Sequence, residues 1–189
     1  IGAGIHFCAT CDGPFYKGQE MVVVGGGNSG VEEGLFLTKF ASKVTVLEVQ
    51  ERLSASQILQ EKLAGHPKME ARLQTTVQEF KGNGRLDSVV VKDLRTGEME
   101  ELTPGAVFIF IGLDPNTQFI EGIVDLDRWK FIVTGDTMET SVNGIFAAGD
   151  VRAGSTKQIS SAAGEGTTAA LMIRQYLEKT QGSRGYRGD

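Results

Sequence analysis

Apolar and β-branched positions fall in short runs along this chain, and glycine-rich or helical stretches separate the runs. Met21 to Val24 is one such run. It stops at three consecutive glycines, after which Val31, Leu35 and Leu37 recur among polar residues at helical spacing up to Phe40. Val44 to Leu47 is a second run and ends at Glu48, completing a βαβ pattern. The next helix has Ile58, Leu59 and Leu63 on one face, Ser54 or Ser56 placed to cap it, and Gly65 to Pro67 to stop it.

From Met69 to Leu102 a period of two takes over. Ala71 to Phe80, Leu86 to Leu94 and Glu98 to Leu102 are separated by Gly82-Asn83-Gly84 and Arg95-Thr96-Gly97, which predicts a β-meander with hairpin turns. Ala106 to Ile111 is apolar throughout and predicts a buried strand, followed by a turn over Gly112 to Thr117 that contains Pro115. Trp129 to Val133, Gly144 to Ala148 and a helix from about Ser161 to Leu177 then form a separate set of elements, so a boundary is expected near Pro115, between residues 1–114 and 115–189. Gly182 to Asp189 is rich in Gly and Arg without periodicity and is expected to fray. The order of elements predicts an α/β, Rossmann-like fold with a β-meander.

Composition narrows the function classes. Of 189 residues, 40% are hydrophobic and 23% charged, as in an ordinary globular protein. The 25 glycines are roughly twice the usual share and ask for tight turns. With 19 Lys+Arg against 24 Asp+Glu the formal charge is −5, and no basic block is present, which argues against nucleic acid. No apolar run approaches the roughly 20 residues of a membrane span. The chain opens at Ile1 without a secretory signal, so it is expected to be cytoplasmic and a piece of something longer.

Three motifs carry chemistry. Gly25-Gly26-Gly27-Asn28-Ser29-Gly30 is G-x-G-x-x-G directly after a strand and at the start of a helix. There Gly25 permits the turn, Gly27 lets backbone approach a pyrophosphate, and Gly30 lets helix and strand pack closely; Asn28 and Ser29 open the helix. Glu48 closes the second strand 18 residues beyond Gly30, where a dinucleotide fold places the acid for the adenine ribose hydroxyls. A carboxylate there favours NADH and repels the added phosphate of NADPH.

Cys8-Ala9-Thr10-Cys11-Asp12-Gly13 is the second motif, two thiols spaced to form a small reversible ring beside an acid. Metal binding is the competing use, but zinc needs four ligands and the chain adds only His6 and His66 to two cysteines. An inert thiol pair is the other alternative. The third motif, Gly144 to Asp150, is an apolar strand ending on Gly149 and Asp150, which sets a carboxylate at a strand terminus. His6 and His66 have no partner visible in sequence and read as solvated or core histidines; Trp129 reads as a packing residue.

In this order the motifs resemble the low-molecular-weight thioredoxin reductase family, from about Gly4 to Leu177. CATCDGPFYKG is similar to that family's redox-active disulfide and VVVGGGNSGVEEG to its pyridine-nucleotide site. GIFAAGDVR, with Lys157, Gln158 and Ile159, is similar to the carboxy-terminal part of its FAD site, and Gly112 is included among the cofactor-binding positions. The resemblance implies FAD, a nicotinamide donor, a protein disulfide such as that of thioredoxin as acceptor, and a homodimer. It implies that Cys11 faces the flavin, that Cys8 exchanges with the acceptor and that Asp12 is the general acid. Residues 1–114 then form an NAD(P)-binding domain bearing the disulfide, and 115–189 the carboxy-terminal part of an FAD-binding domain, the two alternating by rotation.

Two departures from the family stand out. NADPH-using members grip the 2′-phosphate with a His-Arg-Arg run, where this chain has Glu48-Val49-Gln50, so NADH is expected. The family's first FAD-binding βαβ unit, upstream of the disulfide, has no counterpart in this sequence. The alternatives are a peroxiredoxin-reducing flavoprotein, which shares all three motifs, and a module that binds NADH without turnover.

Overall fold

The computed structural model describes residues 2–182 and divides into two compact units, with the boundary between Gly112 and Leu113. In the first unit, five parallel strands form one sheet: β1 (Ile5–His6), β2 (Glu20–Val24), β3 (Lys43–Leu47), β4 (Met69–Arg72) and β8 (Ala106–Ile109), in the order β1-β8-β2-β3-β4. Three further strands, β5 (Thr75–Lys81), β6 (Ser88–Asp93) and β7 (Met99–Leu102), form an antiparallel sheet. Helices α1 (Ala9–Asp12), α2 (Asn28–Leu37) and α3 (Gln57–Ala64) complete the unit.

The apolar runs are continuous because both faces of the parallel sheet are covered. Met21, Val23, Val46 and Phe108 point into one core with Val31 and Leu37 of α2 and Leu63 of α3. Val22, Leu47 and Val107 point into a second core with Val89 and Val91 of β6. The meander therefore takes the place of a helix layer on that face.

The predicted segment Ala71 to Phe80 is two strands. Gln74 takes a left-handed backbone conformation (φ +48°) that turns the chain out of β4, which pairs with β3, and into β5, whose partner is β6. Alternation alone could not separate them, because no turn residue such as Gly or Pro stands between them. At α3 the cap differs as well: Ser56 stands at the N-cap without a side-chain cap bond, while its own N–H donates to Asn28 Oδ1 at 2.7 Å.

The second unit contains a 3₁₀ turn (Gln118–Ile120) and α4 (Ile159–Gly182), longer at both ends than the predicted helix. Its core is Val124, Ile132 and Ala147. The predicted elements at Trp129 to Val133 and Gly144 to Ala148 form single β-bridges, Ile132 with Leu126 and Arg152, and Phe146 with Glu139, rather than strands. Each has only one or two residues of neighbouring chain to pair with, and a ladder needs a run. Trp129 is 58% exposed, with the Arg128 guanidinium 3.6 Å from its ring centre, so it is not the packing residue predicted. Of the end expected to fray, Gly182 to Asp189, Gly182 closes α4, and 183–189 lie outside the described residues. Among the described residues no helix is long and apolar enough to cross a membrane.

Candidate active site

All five strands of the parallel sheet run the same way, so the loops leaving β1, β2 and β8 emerge at one edge. The chain leaves β2 toward β3 on one side, while β8 and β1 lie on the other, which makes the β2/β8 crevice the topological switch point. The glycine loop sits there. Gly25 has φ +115°, and a Cβ on it would run into the Phe110 carbonyl oxygen. A Cβ on Gly30 would meet the Gly25 carbonyl even more closely. These two glycines let α2 start directly against the sheet. Gly27 behaves differently: its backbone is extended, and only Ser54 Oγ, at 3.5 Å, would touch an added Cβ. The first-turn N–H groups of α2 have no intrahelical acceptor, no side chain caps them and no acid stands among them.

Glu48 is 7% exposed and fixed by backbone. Its Oε2 accepts the Gly26 N–H at 2.7 Å and its Oε1 the Gln50 N–H at 2.9 Å. A Cβ on Gly26 would lie 2.6 Å from Glu48 Oε2, so the middle glycine of the loop is required for this contact. An ionised carboxylate has about four acceptor positions, which leaves capacity for a ligand's hydroxyls. Gly25, Gly27, Asn28, Ser29, Glu48 and Gly112 line one cavity of about 810 Å³, while Gly30 lies behind the loop as packing. This volume is in the range of small-molecule sites. Its remaining wall is β5, including Thr75 and Gln78, together with Val49. Sequence reading missed that wall because only the folding back of the meander decides which strand faces the loop.

Two strand positions from β2, roughly 10 Å away at ordinary spacing, β1 leads into the second motif. Cys8 and Cys11 are joined in a disulfide, with Cα atoms 5.3 Å apart. Cys8 is half-buried, Cys11 is exposed, and the Cys11 N–H points at Cys8 Sγ at 3.2 Å. That donor favours negative charge on the Cys8 sulfur. Gly13 permits the following turn to press on α2, since a Cβ there would stand 2.7 Å from Leu37 Cδ2. Asp12 stands at the N-cap of the next 3₁₀ turn (Gly13–Tyr16) but makes no side-chain cap bond. Its Oδ2 lies 3.1 Å from His6 Nδ1, while His6 Nε2 meets the Tyr16 hydroxyl at 2.8 Å. His6 thus has two partners that no spacing rule connects. His66 accepts the Lys68 N–H through Nδ1 at 3.2 Å on the surface.

In the second unit, Gly149 has φ +80° and its N–H donates to Glu165 Oε2 at 2.7 Å. Arg152 closes a largely buried ion pair with Glu165 at 2.7 Å. The guanidinium holds the Glu165 carboxyl below the usual carboxylate range, and the Gly149 N–H adds to the effect. Lys157, at φ +57°, donates to the carbonyl oxygens of Asp150 (2.6 Å) and Arg152 (3.0 Å) and lies over the Phe131 ring. Burial pushes its ammonium below the ordinary lysine value. Asp150, Gln158 and Ile159 are exposed. Lys157 is thus a brace for the loop after Asp150.

Fold and site together define a dinucleotide-type α/β unit that carries a paired-cysteine disulfide. The family model described as pyridine nucleotide-disulphide oxidoreductase matches residues 2–166, and the chain belongs to that family. It is 44% identical over 181 residues to a thioredoxin reductase of Bacillus subtilis (strain 168), covering 95% of this chain and 57% of that protein. To a thioredoxin reductase of Peptoclostridium litorale it is 40% identical over 184 residues, covering 94% and 58%. The crystal structure of thioredoxin reductase from Streptococcus pyogenes MGAS5005 superposes with a TM-score of 0.86 at 39% identity, covering 94% of this chain and 58% of that one. The chain spans a little under three-fifths of the length of these relatives.

Proposed function

We propose that this chain is the nucleotide- and disulfide-bearing portion of a flavin-dependent thioredoxin-disulfide reductase with NADH as its electron donor. The observation that carries the reading is the pairing, at one sheet edge, of the Cys8–Cys11 disulfide with a glycine-loop cavity bounded by Glu48. The residues fit a dinucleotide: Gly27 leaves the loop open to a pyrophosphate, the N–H groups of α2 face it, and Glu48 offers acceptors for ribose hydroxyls. The same carboxylate disfavours the 2′-phosphate of NADPH, and no arginine stands at positions 48–50. In the second unit Gly149, Asp150 and the segment Lys157 to Ile159 are the positions that would meet FAD. FAD held there would supply a two-electron relay between the nicotinamide and the disulfide.

The chain's own residues then do thiol chemistry. Once reduced, the Cys8 thiolate attacks one sulfur of the acceptor disulfide; that S–S bond breaks, a mixed disulfide forms, and the departing thiolate takes a proton from Asp12. Cys11 attacks Cys8 Sγ, releases the second acceptor thiol and restores the Cys8–Cys11 bond. The relatives named above favour thioredoxin over a peroxiredoxin-type acceptor. Family resemblance extends the reading to a homodimer in the cytoplasm, with residues 1–114 as nucleotide domain and 115–189 as part of the flavin domain.

The test is paired. NADH is expected to bind the 189-residue chain saturably and at least about tenfold more tightly than NADPH. In the flavin-loaded protein, Cys8→Ser is expected to abolish NADH-dependent thioredoxin reduction. Equal affinity for both nucleotides would refute the donor assignment, and wild-type turnover by Cys8→Ser would refute the disulfide's role.

A further inference from the structure

We infer that His6 is a positioning residue for the exchange reaction: it holds Asp12 beside the disulfide and returns to it the proton that Asp12 gives to a leaving sulfur. The inference rests on the proposed reading of Cys8–Cys11 as an exchanging disulfide with Asp12 as its acid. His6 lies on β1, is 5% exposed and stacks on Phe108 of β8 with ring centres 5.4 Å apart. An apolar side chain would serve that packing alone. A buried imidazole is stable only with both nitrogens partnered, and both are: Nδ1 by Asp12 Oδ2 at 3.1 Å and Nε2 by Tyr16 Oη at 2.8 Å. The titratable groups that meet the ring are therefore Asp12 from α1 and Tyr16 from the 3₁₀ turn, while β8 presents Phe108. Asp12 turns toward His6 and makes no side-chain cap bond at the turn it precedes.

The chemistry requires such a partner. An alkyl thiolate is a basic leaving group and departs faster when a proton meets it, yet a carboxyl group in water carries one only about once in a thousand at pH 7. An imidazole in water is protonated about a quarter of the time at that pH. Across the 3.1 Å contact Nδ1 is placed to return to the carboxyl the proton that it gives to sulfur. Tyr16 fixes the ring plane that keeps Nδ1 on Asp12. Neither electrons nor heavy atoms pass through His6.

The test uses leaving groups of different basicity. The 189-residue chain is reduced, freed of reductant and mixed either with oxidised glutathione, whose basic alkyl thiolate gains from an acid, or with dithiobis(nitrobenzoate), whose aromatic thiolate leaves as a stable anion. The ratio of aromatic to alkyl rates cancels the ionisation of the attacking thiol. The wild-type ratio at pH 7 is the reference against which the variants are read. His6→Asn, whose amide can still reach Asp12 but carries no exchangeable proton on a basic nitrogen, is expected to raise the ratio at pH 7 at least about tenfold, with the aromatic rate changed less than about twofold. Asp12→Asn should do the same. Equal slowing of both reactions by His6→Asn would show packing alone and overturn the proposal, as would an unchanged ratio. If Asp12→Asn raises the ratio and His6→Asn does not, the exchange reading stands and the role of His6 falls; a wild type inert to both disulfides refutes the reading and the proposal together. Should His6→Asn fail to fold, Tyr16→Phe keeps the ring and releases Nε2. It is expected to raise the ratio at least about threefold, a fraction of the full acid effect, and no rise would overturn the proposal.

Discussion

Replacing Glu48 by glutamine keeps the side chain's volume and removes its charge and one of its two acceptor oxygens. Both oxygens are in use, Oε2 on the Gly26 N–H at 2.7 Å and Oε1 on the Gln50 N–H at 2.9 Å. A glutamine oxygen can accept only one of these, and its NH₂ then faces the other N–H, donor against donor. If the oxygen stays on the buried Gly26, Gln50 turns to water and part of the loss is recovered; if it turns to Gln50, the Gly26 N–H is left unmet. A hydrogen bond to a charged group contributes about 1.5–3 kcal/mol, so Glu48→Gln is expected to destabilise the first unit by about 2 kcal/mol. With a urea slope of about 2 kcal/mol per molar, the midpoint should fall by about 1 M. Circular dichroism is the readout to use, because the single tryptophan, Trp129, belongs to the second unit. The same variant is expected to narrow the proposed preference for NADH over NADPH about tenfold, or about 1.4 kcal/mol, by removing the like charge that would face the 2′-phosphate. A midpoint shift below about 0.2 M would show that the carboxylate does not hold both N–H groups, and the geometric account of Glu48 would fail with it.

Gly26→Ala places a methyl group where Glu48 Oε2 and Leu53 Cδ2 each lie 2.6 Å away. A loss of about 1–3 kcal/mol is expected. Because it displaces the same carboxylate, its urea effect should be less than additive with Glu48→Gln in a double-mutant cycle; full additivity would mean that the two residues do not meet. In the second unit, the Arg152 guanidinium depresses the Glu165 carboxyl below its ordinary range. That contribution is complete above the unfolded glutamate value near 4.3 and is lost as pH falls through the lower folded value. Wild-type protein should therefore lose more of its urea midpoint between pH 5 and pH 3 than Glu165→Gln does, and equal losses would count against the pair.

The sequence by itself determined the βαβ unit, the glycine loop and the acid after β3. Their signals are local: Gly25 must take a positive φ, Gly30 must lack a Cβ, and the apolar runs must fill both faces of a sheet. It also determined the paired cysteines and Asp12 as a chemical constellation, since three spaced residues identify themselves without a fold. Tertiary structure alone decided the rest. The split of Ala71 to Phe80 depends on Gln74 turning into a left-handed conformation, which no alternation of polar and apolar residues encodes. The β5 wall of the glycine-loop cavity exists only because the meander folds back over β2 and β3, bringing Thr75 and Gln78 to the glycine loop. The contacts of His6 with Asp12 and Tyr16 join a strand, a short helix and a 3₁₀ turn, and such a meeting has no period in the chain. Local chemistry is written in the order of residues, whereas the partners of a buried polar group are set by which elements come to lie against it.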